Sequence, residues 1–272
     1  MRIGVCIKQV PAGNARMDSE TGVLIRSSAG GTINPYDLFA LEAALQAAAA
    51  LQITAAAGAA GTADDAGELF VITMGPPRAE EALREALAMG AAPAILLSDP
   101  AFSGADVAAT SRTLAEGLRK HGVPDLLFCG QQTTDGDTAQ LPFALAARLG
   151  IPALGWVKGI EYFRKEGYSV LQELSGGTVR VRGDYPALFA VSREAVHPRA
   201  PSLPRRLAAR KLPVTVWGLA DLPDRDPRHH GLAGSPTRVR KLYPPVQNVK
   251  TPPLRVEAAE AVSLIQKALA EW

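Results

Sequence analysis

The chain of 272 residues lacks most of what a self-contained catalyst needs. Its two cysteines, Cys6 and Cys129, sit inside apolar runs and match no CxxC or other metal-ligand spacing, so they read as small core residues of a reducing compartment. Its four histidines, His121, His197, His229 and His230, fit neither HExxH nor zinc-finger spacing. His121 closes a helical stretch and reads as a dipole complement, while His229-His230 lies in a polar loop and reads as solvated. GxGxxG is missing after the first strand, and no phosphate loop of the GxxxxGK type and no GxSxG elbow occurs anywhere. Dinucleotide dehydrogenases, P-loop NTPases and elbow-type hydrolases therefore lose their support. Glu80-Glu81 beside Arg84 looks like an exposed ion-pair face and not an acid/base dyad. Long apolar runs are lacking too, and residues 1–5 already read as strand, so the expectation is a cytoplasmic protein without a cleaved leader.

What is present is an ordinary globular composition, 47% hydrophobic and 21% charged, long enough for one large α/β domain with appendages or for two smaller domains. The charge is uneven. Residues 193–255 hold 13 Lys/Arg against 4 Asp/Glu, a local net of +9, which leaves −7 for the remainder of a chain whose total is +2. Aromatic residues are nearly absent from that basic stretch, which argues against a nucleic-acid binder.

Along the chain, strand patterns at residues 3–10, 68–74, 94–98 and 126–130 alternate with helical patterns at 38–46, 79–89 and 103–120, and one more helix ends at Gly150. This alternation predicts a parallel sheet covered on both faces, a Rossmann-like doubly wound fold. Residues 23–26 look like a hairpin piece, and residues 47–67 are an Ala/Gly-rich insertion whose first half extends a helix. After Gly150 the pattern changes to an antiparallel hairpin of 157–163 with 168–174, a further strand at 178–182, and a buried strand at 187–191. Residues 193–211 are rich in proline and arginine and read as a solvated basic loop or a surface awaiting a partner. Strand returns at 213–219, polar loop follows at 221–230, an extended arm begins at 234, and residues 257–272 carry an amphipathic helix. Domain boundaries are expected at 1–220 and 221–272.

The chain centres on Gly130-Gln131-Gln132-Thr133-Thr134-Asp135-Gly136-Asp137-Thr138-Ala139-Gln140, which joins a buried strand to a helix. In an open α/β sheet a ligand sits at the carboxyl end of such a strand. Asp137 or Thr138 reads as the helix cap, and Pro142 is tolerated in the first turn. The unpaired N–H groups there suit a phosphate, although a plain turn and cap would carry the same residues.

Several stretches, in order along nearly the whole chain, together resemble the β subunit of electron-transfer flavoprotein, the family that includes the FixA-type proteins. They are Cys6-Ile7-Lys8-Gln9-Val10-Pro11, Ile33-Asn34-Pro35-Tyr36-Asp37 with Ala40-Leu41-Glu42, Thr73-Met74-Gly75-Pro76, Leu87-Ala88-Met89-Gly90-Ala91, Gly104-Ala105-Asp106, the loop of residues 130–140, Pro186-Ala187-Leu188 and Pro201-Ser202-Leu203-Pro204. The resemblance implies an adenine-nucleotide domain of the α-hydrolase-like type, whose C-terminal arm and helix dock on an α subunit carrying FAD. It implies a nucleotide site built from Cys6, from Asn34, Pro35, Tyr36 and Asp37, from Thr73, Met74 and Gly75, and from Gly130, Gln132, Asp135, Gly136, Asp137, Thr138, Ala139, Gln140 and Leu141. The ligand is AMP in ordinary carriers and a second FAD in electron-bifurcating members, which take hydride from NADH. Asn34-Pro35-Tyr36-Asp37, the Asp135–Gln140 loop and residues 231–237 look more like the bifurcating branch, so FAD is the expectation. Two positions depart from the family: Leu141-Pro142-Phe143 stands where Val-Gly-Pro is usual, and Gln172 where many relatives carry a basic residue. Leu203 resembles the anchor of the family's recognition loop, residues 193–211, for an acyl-CoA dehydrogenase or other dehydrogenase or quinone reductase. The resemblance thus implies an electron carrier, with a non-redox adenine-nucleotide sensor or scaffold on the same fold as the alternative. No membrane insertion, metal or catalytic side chain is expected.

Overall fold

A computed structural model describes residues 1–12, 31–53, 67–239 and 254–270, together with the backbone of Arg16–Met17 and Leu24–Ile25. The sheet starts from short apolar runs with no polar alternation, the signature of strands covered on both faces. These are β1 (Arg2–Cys6), β6 (Glu68–Met74), β7 (Ala94–Leu97), β8 (Leu126–Gly130) and β12 (Ala187–Val191), all nearly or wholly buried. The strand expected over residues 3–10 is broken. After Cys6 the chain leaves the sheet, and β2 (Gln9–Pro11) pairs instead with β5 (Gly31–Ile33) in a two-stranded ribbon. The short β3 (Arg16–Met17) and β4 (Leu24–Ile25) form another two-stranded pair, and the latter falls within the predicted hairpin piece.

Helices α1 (Pro35–Ala50), α2 (Glu80–Met89), α3 (Val107–His121) and α4 (Leu141–Leu149) cross over between strands. Pro35 starts α1 where its missing N–H costs nothing, and alanines line its buried side. The first core, with Leu41, Leu83, Val5, Phe128 and Phe189, lies under α1 and α2; the second, with Phe70, Ile72, Leu118, Leu127 and Leu145, lies under α3 and α4. Past Gly150 come β9 (Ala153–Arg164), β10 (Gly167–Leu174) and β11 (Gly177–Gly183), the predicted antiparallel addition, and later β13 (Val214–Trp217). The nine strands run in the order β11-β10-β9-β12-β8-β1-β6-β7-β13, parallel from β9 through β13 and antiparallel at β10 and β11. Travelling from β1 through β6 to β7, the chain moves one way across the sheet; it then returns to place β8 on the other side of β1. The gap between the carboxyl ends of β1 and β8 is therefore the topological switch point.

Two segments differ from the sequence expectation. The basic stretch of residues 193–211 is not wholly loop: it contains a helix, α5 (Leu203–Ala209), that packs on α2. Arg84 of α2 donates to the carbonyl oxygens of Ala209, at 2.9 Å, and Leu212, and pairs with Glu80 at 2.6 Å. The polar loop of residues 221–230 is tied down by a buried histidine. His230, expected to be solvated, has its Nδ1 2.8 Å from Thr113 Oγ1 of α3 and its Nε2 3.1 Å from the Asp224 carbonyl oxygen. The ring has two polar partners within the fold, which is why a loop of polar composition can bury it. Residues 54–66 of the Ala/Gly-rich insertion and residues 240–253 of the expected arm lie outside the described residues. The terminal helix α6 (Ala258–Ala270) buries no residue, leaving Val262, Ile265 and Leu269 exposed. Among the described residues no helix is long and apolar enough to cross a membrane, and no three His, Cys, Asp or Glu side chains converge as a metal site.

Candidate functional site

At the switch point the first residues after β1, the start of α1 and the loop after β8 come together. Asn34 stands at the N-cap of α1, but its side chain does not cap. It bridges the loops instead: its Nδ2 donates to the Gln132 carbonyl oxygen at 2.9 Å, and its Oδ1 accepts from the Thr134 N–H at 3.3 Å. Asp37, one turn into α1, accepts the Lys8 N–H at 2.7 Å. Burial pushes the Asp37 carboxyl up to about 7, against the hydrogen bonds it accepts around Asn34, Lys8 and Gly130. This close approach requires Gly130. A Cβ there would collide with Asp37 Oδ1 and lie 2.8 Å from the Tyr36 carbonyl carbon. Tyr36 joins the same stitch, its hydroxyl taking the Gln132 side-chain amide at 3.2 Å.

The loop of residues 131–140 is shaped by its own polar groups. Asp135 pairs with Lys8 Nζ at 2.6 Å and accepts the Gly136 N–H at 2.7 Å. Burial raises the Asp135 carboxyl, but the Lys8 ammonium and these hydrogen bonds outweigh it and hold the group below the usual carboxylate range. Asp137 and Ala139 both have positive φ, 46° and 52°. The expected cap is corrected here. Gln140, not Asp137 or Thr138, is the N-cap of α4, and it makes no side-chain cap bond, because the left-handed residues turn the loop before Asp137 can reach the helix. The N–H groups of Thr138, Ala139, Gln140 and Leu141 consequently find no acceptor among the described residues. Alternation of left- and right-handed backbone that leaves successive N–H groups free is the geometry of an anion-binding nest, and here it opens onto a helix N-terminus.

The other residues named from the sequence lie at the same sheet edge in different roles. Cys6 and Cys129 are register partners on adjacent strands, both buried, and their mutual hydrogen bond and burial push the Cys129 thiol well up. Thr73 is wholly buried and its hydroxyl is engaged with the Ile7 carbonyl oxygen at 2.7 Å, while the Gly75 N–H donates to the Leu97 carbonyl oxygen at 3.0 Å. These groups hold the edge together. Met74 is the last residue of β6, Pro35 is the first residue of α1, and Leu141 begins α4. Leu203 lies apart on α5, where it is 68% exposed.

Lys8, Gln131, Ser192 and Trp156 were not singled out from the sequence. Lys8 carried a signal, since it sits in the quoted Cys6–Pro11 stretch. Gln131 and Ser192 meet because β8 and β12 are neighbours, and Gln131 N–H donates to the Val191 carbonyl oxygen at 3.1 Å.

A parallel, doubly wound sheet with a loop-lined crevice at its switch point defines a Rossmann-like α/β protein. Residues 21–222 match the family model described as the electron transfer flavoprotein domain. The chain is 39% identical over 246 residues to the caffeyl-CoA reductase-Etf complex subunit CarD of Acetobacterium woodii, covering 90% of this chain and 88% of that one. It is 40% identical over 243 residues to the electron transfer flavoprotein subunit beta of Clostridium acetobutylicum, at 89% and 87% coverage. To protein FixA of Azorhizobium caulinodans it is 37% identical over 278 residues, at 100% and 92% coverage. The chain belongs to the electron-transfer flavoprotein β-subunit family.

Proposed function

We propose that this chain binds FAD at the switch-point crevice and, paired with a FAD-carrying α subunit, passes electrons between NADH or a dehydrogenase and a redox partner. The observation that carries the nucleotide reading is the run of four N–H groups from Thr138 to Leu141 without protein acceptors at the start of α4. A pyrophosphate satisfies such donors directly, and the helix dipole favours its charge. Lys8, although paired with Asp135, adds a cation to the same loop. Asn34 and Asp37 fix the distance between the nest and α1, so the adenosine half meets a preformed wall.

Flavin is favoured over AMP by open space beside the first residue of the same loop. A cleft of about 660 Å³, open to solvent, is lined by Tyr36, Gln131, Trp156, Ser192 and Glu173. AMP would leave it unfilled. The bound flavin supplies the redox chemistry; the protein's part is to hold it and to exclude misplacement. Leu203, exposed on a helix that carries Arg205 and Arg206 and is followed by Arg210, offers an apolar anchor with a basic rim to an acidic-rimmed dehydrogenase. The C-terminal residues 221–272 serve the α subunit, and the uncovered stripe of α6 supports that assignment.

Co-expression with the α subunit tests this reading. A yellow heterodimer is expected; a colourless chain that stays single and responds to ATP contradicts it.

A further inference from the structure

We infer that Gln131 and Ser192 read the amide edge of the flavin ring, and that Trp156 is the platform on which that ring lies. The inference rests on the proposed nucleotide site but names residues which that site does not use.

Three buried side-chain polar atoms lack a hydrogen-bond partner among the described residues. One, His121 Nε2, stands 3.2 Å from a Glu68 carboxylate oxygen and is thereby accounted for. The other two, Gln131 Oε1 and Ser192 Oγ, belong to residues lining the same 660 Å³ cleft. A buried polar group without a partner is costly, so two in one wall point to a ligand that satisfies them. Ser192 is 5% exposed and follows β12; Gln131 follows the neighbouring β8. Gln131 thus opens the loop that carries the nest, and Ser192 stands one strand over from it. Both atoms are buried, and the Gln131 amide donates from Nε2 to Gln132 Oε1 at 3.2 Å, so a ligand would engage them through a rotamer change of either side chain.

The neighbouring strand carries a second anomaly. β9 bulges against β12 between Phe189 and Val191, and Trp156 sits in the bulge with φ of 46°. Left-handed backbone is uncommon for a bulky non-glycine residue and is strained. The bulge presents the indole at the cleft, 40% exposed, and Phe143 backs it with ring centroids 6.1 Å apart and planes 26° apart. Phe143 reaches this place because Gly155 has no side chain; a Cβ there would lie 2.5 Å from the tip of the Phe143 ring. The departure from the family pattern at Leu141-Pro142-Phe143 thus supplies the support of an aromatic platform. A bulge of this kind re-aims a side chain.

The chemistry selects the ligand group. Gln131 Oε1 only accepts, and a serine hydroxyl both donates and accepts. An acceptor beside a donor matches an N–H next to a C=O, the imide edge of an isoalloxazine or the carboxamide of a nicotinamide. A flat ring on Trp156 suits both, and FAD and NADH each carry their ring on an adenosine pyrophosphate; the isoalloxazine is assigned because flavin is the ligand proposed for the site, and titration with each separates the two.

The test is titration of the nucleotide-free full chain with FAD, AMP and NADH separately, for the wild type, Ser192→Ala and Gln131→Leu. The expected result is FAD bound more tightly than AMP or NADH by the wild type, and FAD affinity reduced about fivefold by either variant, the worth of one net hydrogen bond. AMP affinity stays unchanged, and the ligand-free melting temperature stays level or rises, since an unpaired polar atom has been removed. NADH affinity falling while FAD affinity holds would transfer the amide edge to nicotinamide and overturn the inference. Equal losses for AMP and FAD, or a lowered ligand-free melting temperature with no selective loss, would make both residues structural and overturn it too. A wild type that binds AMP but gains nothing from the flavin half removes the inference and leaves the nucleotide site standing; binding of neither removes both.

Discussion

Asp37 is where pH acts on the folded chain. Its carboxyl is held at about 7 by burial, against an ordinary value of 3.8. Between those values the native state keeps a proton that the unfolded chain has lost, so stability falls as pH rises from about 4 to about 7 and is level above that. Asp37→Asn keeps an acceptor for the Lys8 N–H but cannot titrate. Thermal melts across this range should show the wild type losing on the order of 4 kcal/mol relative to the variant. Parallel melting curves at every pH would contradict the assignment. Asp37 was legible from the sequence through its Asn-Pro-Tyr-Asp setting, yet its charge state was not. That state is set by burial, against the hydrogen bonds from Lys8 and Gly130, and all of these arise only once the fold brings distant segments together.

At the scale of elements, α5 shows what a helix can borrow from its neighbours. Leu203-Pro204-Arg205-Arg206-Leu207-Ala208-Ala209 has little apolar stripe to bury. It is held by partners distant in sequence: Arg84 on α2, and the Glu42–Arg199 pair between α1 and the incoming segment. Glu42 is 3% exposed and accepts from Arg199 through Nε at 2.8 Å, Nη2 at 2.7 Å and the backbone N–H at 3.1 Å. Burial raises the Glu42 carboxyl, but Arg199 and Gln46 outweigh it and keep it charged and below its usual range. Arg199→Ala leaves that carboxylate short of partners and should cost about 1–3 kcal/mol in chemical denaturation. Leu203→Ala, at an exposed position, should change stability by less than about 0.5 kcal/mol while slowing electron transfer with the proposed dehydrogenase partner. A large stability loss at Leu203, or none at Arg199, would reverse the roles given to them. The strands at 68–74 and 187–191 were read correctly to the residue because fully buried parallel strands are unbroken apolar runs. Helix α5 was missed because its reasons are non-local.

At the scale of the molecule, one sheet organises everything. Its switch point between β1 and β8 gathers the loops that the sequence had marked separately, and those loops meet as stitches, a nest and a cleft. The alternation of strand and helix was legible because each crossover carries its own start and stop residues, such as Asp106 before α3 and Gly90 after α2. The cleft was not, because a bulge at Trp156 and the adjacency of Gln131 to Ser192 arise only once β12 inserts between β8 and β9. On the proposed function, this chain brings a flavin of its own to the heterodimer. Denaturing the purified heterodimer and counting the released nucleotides tests it most directly: two FAD and no AMP per heterodimer is the predicted result, and one FAD with one AMP would contradict it.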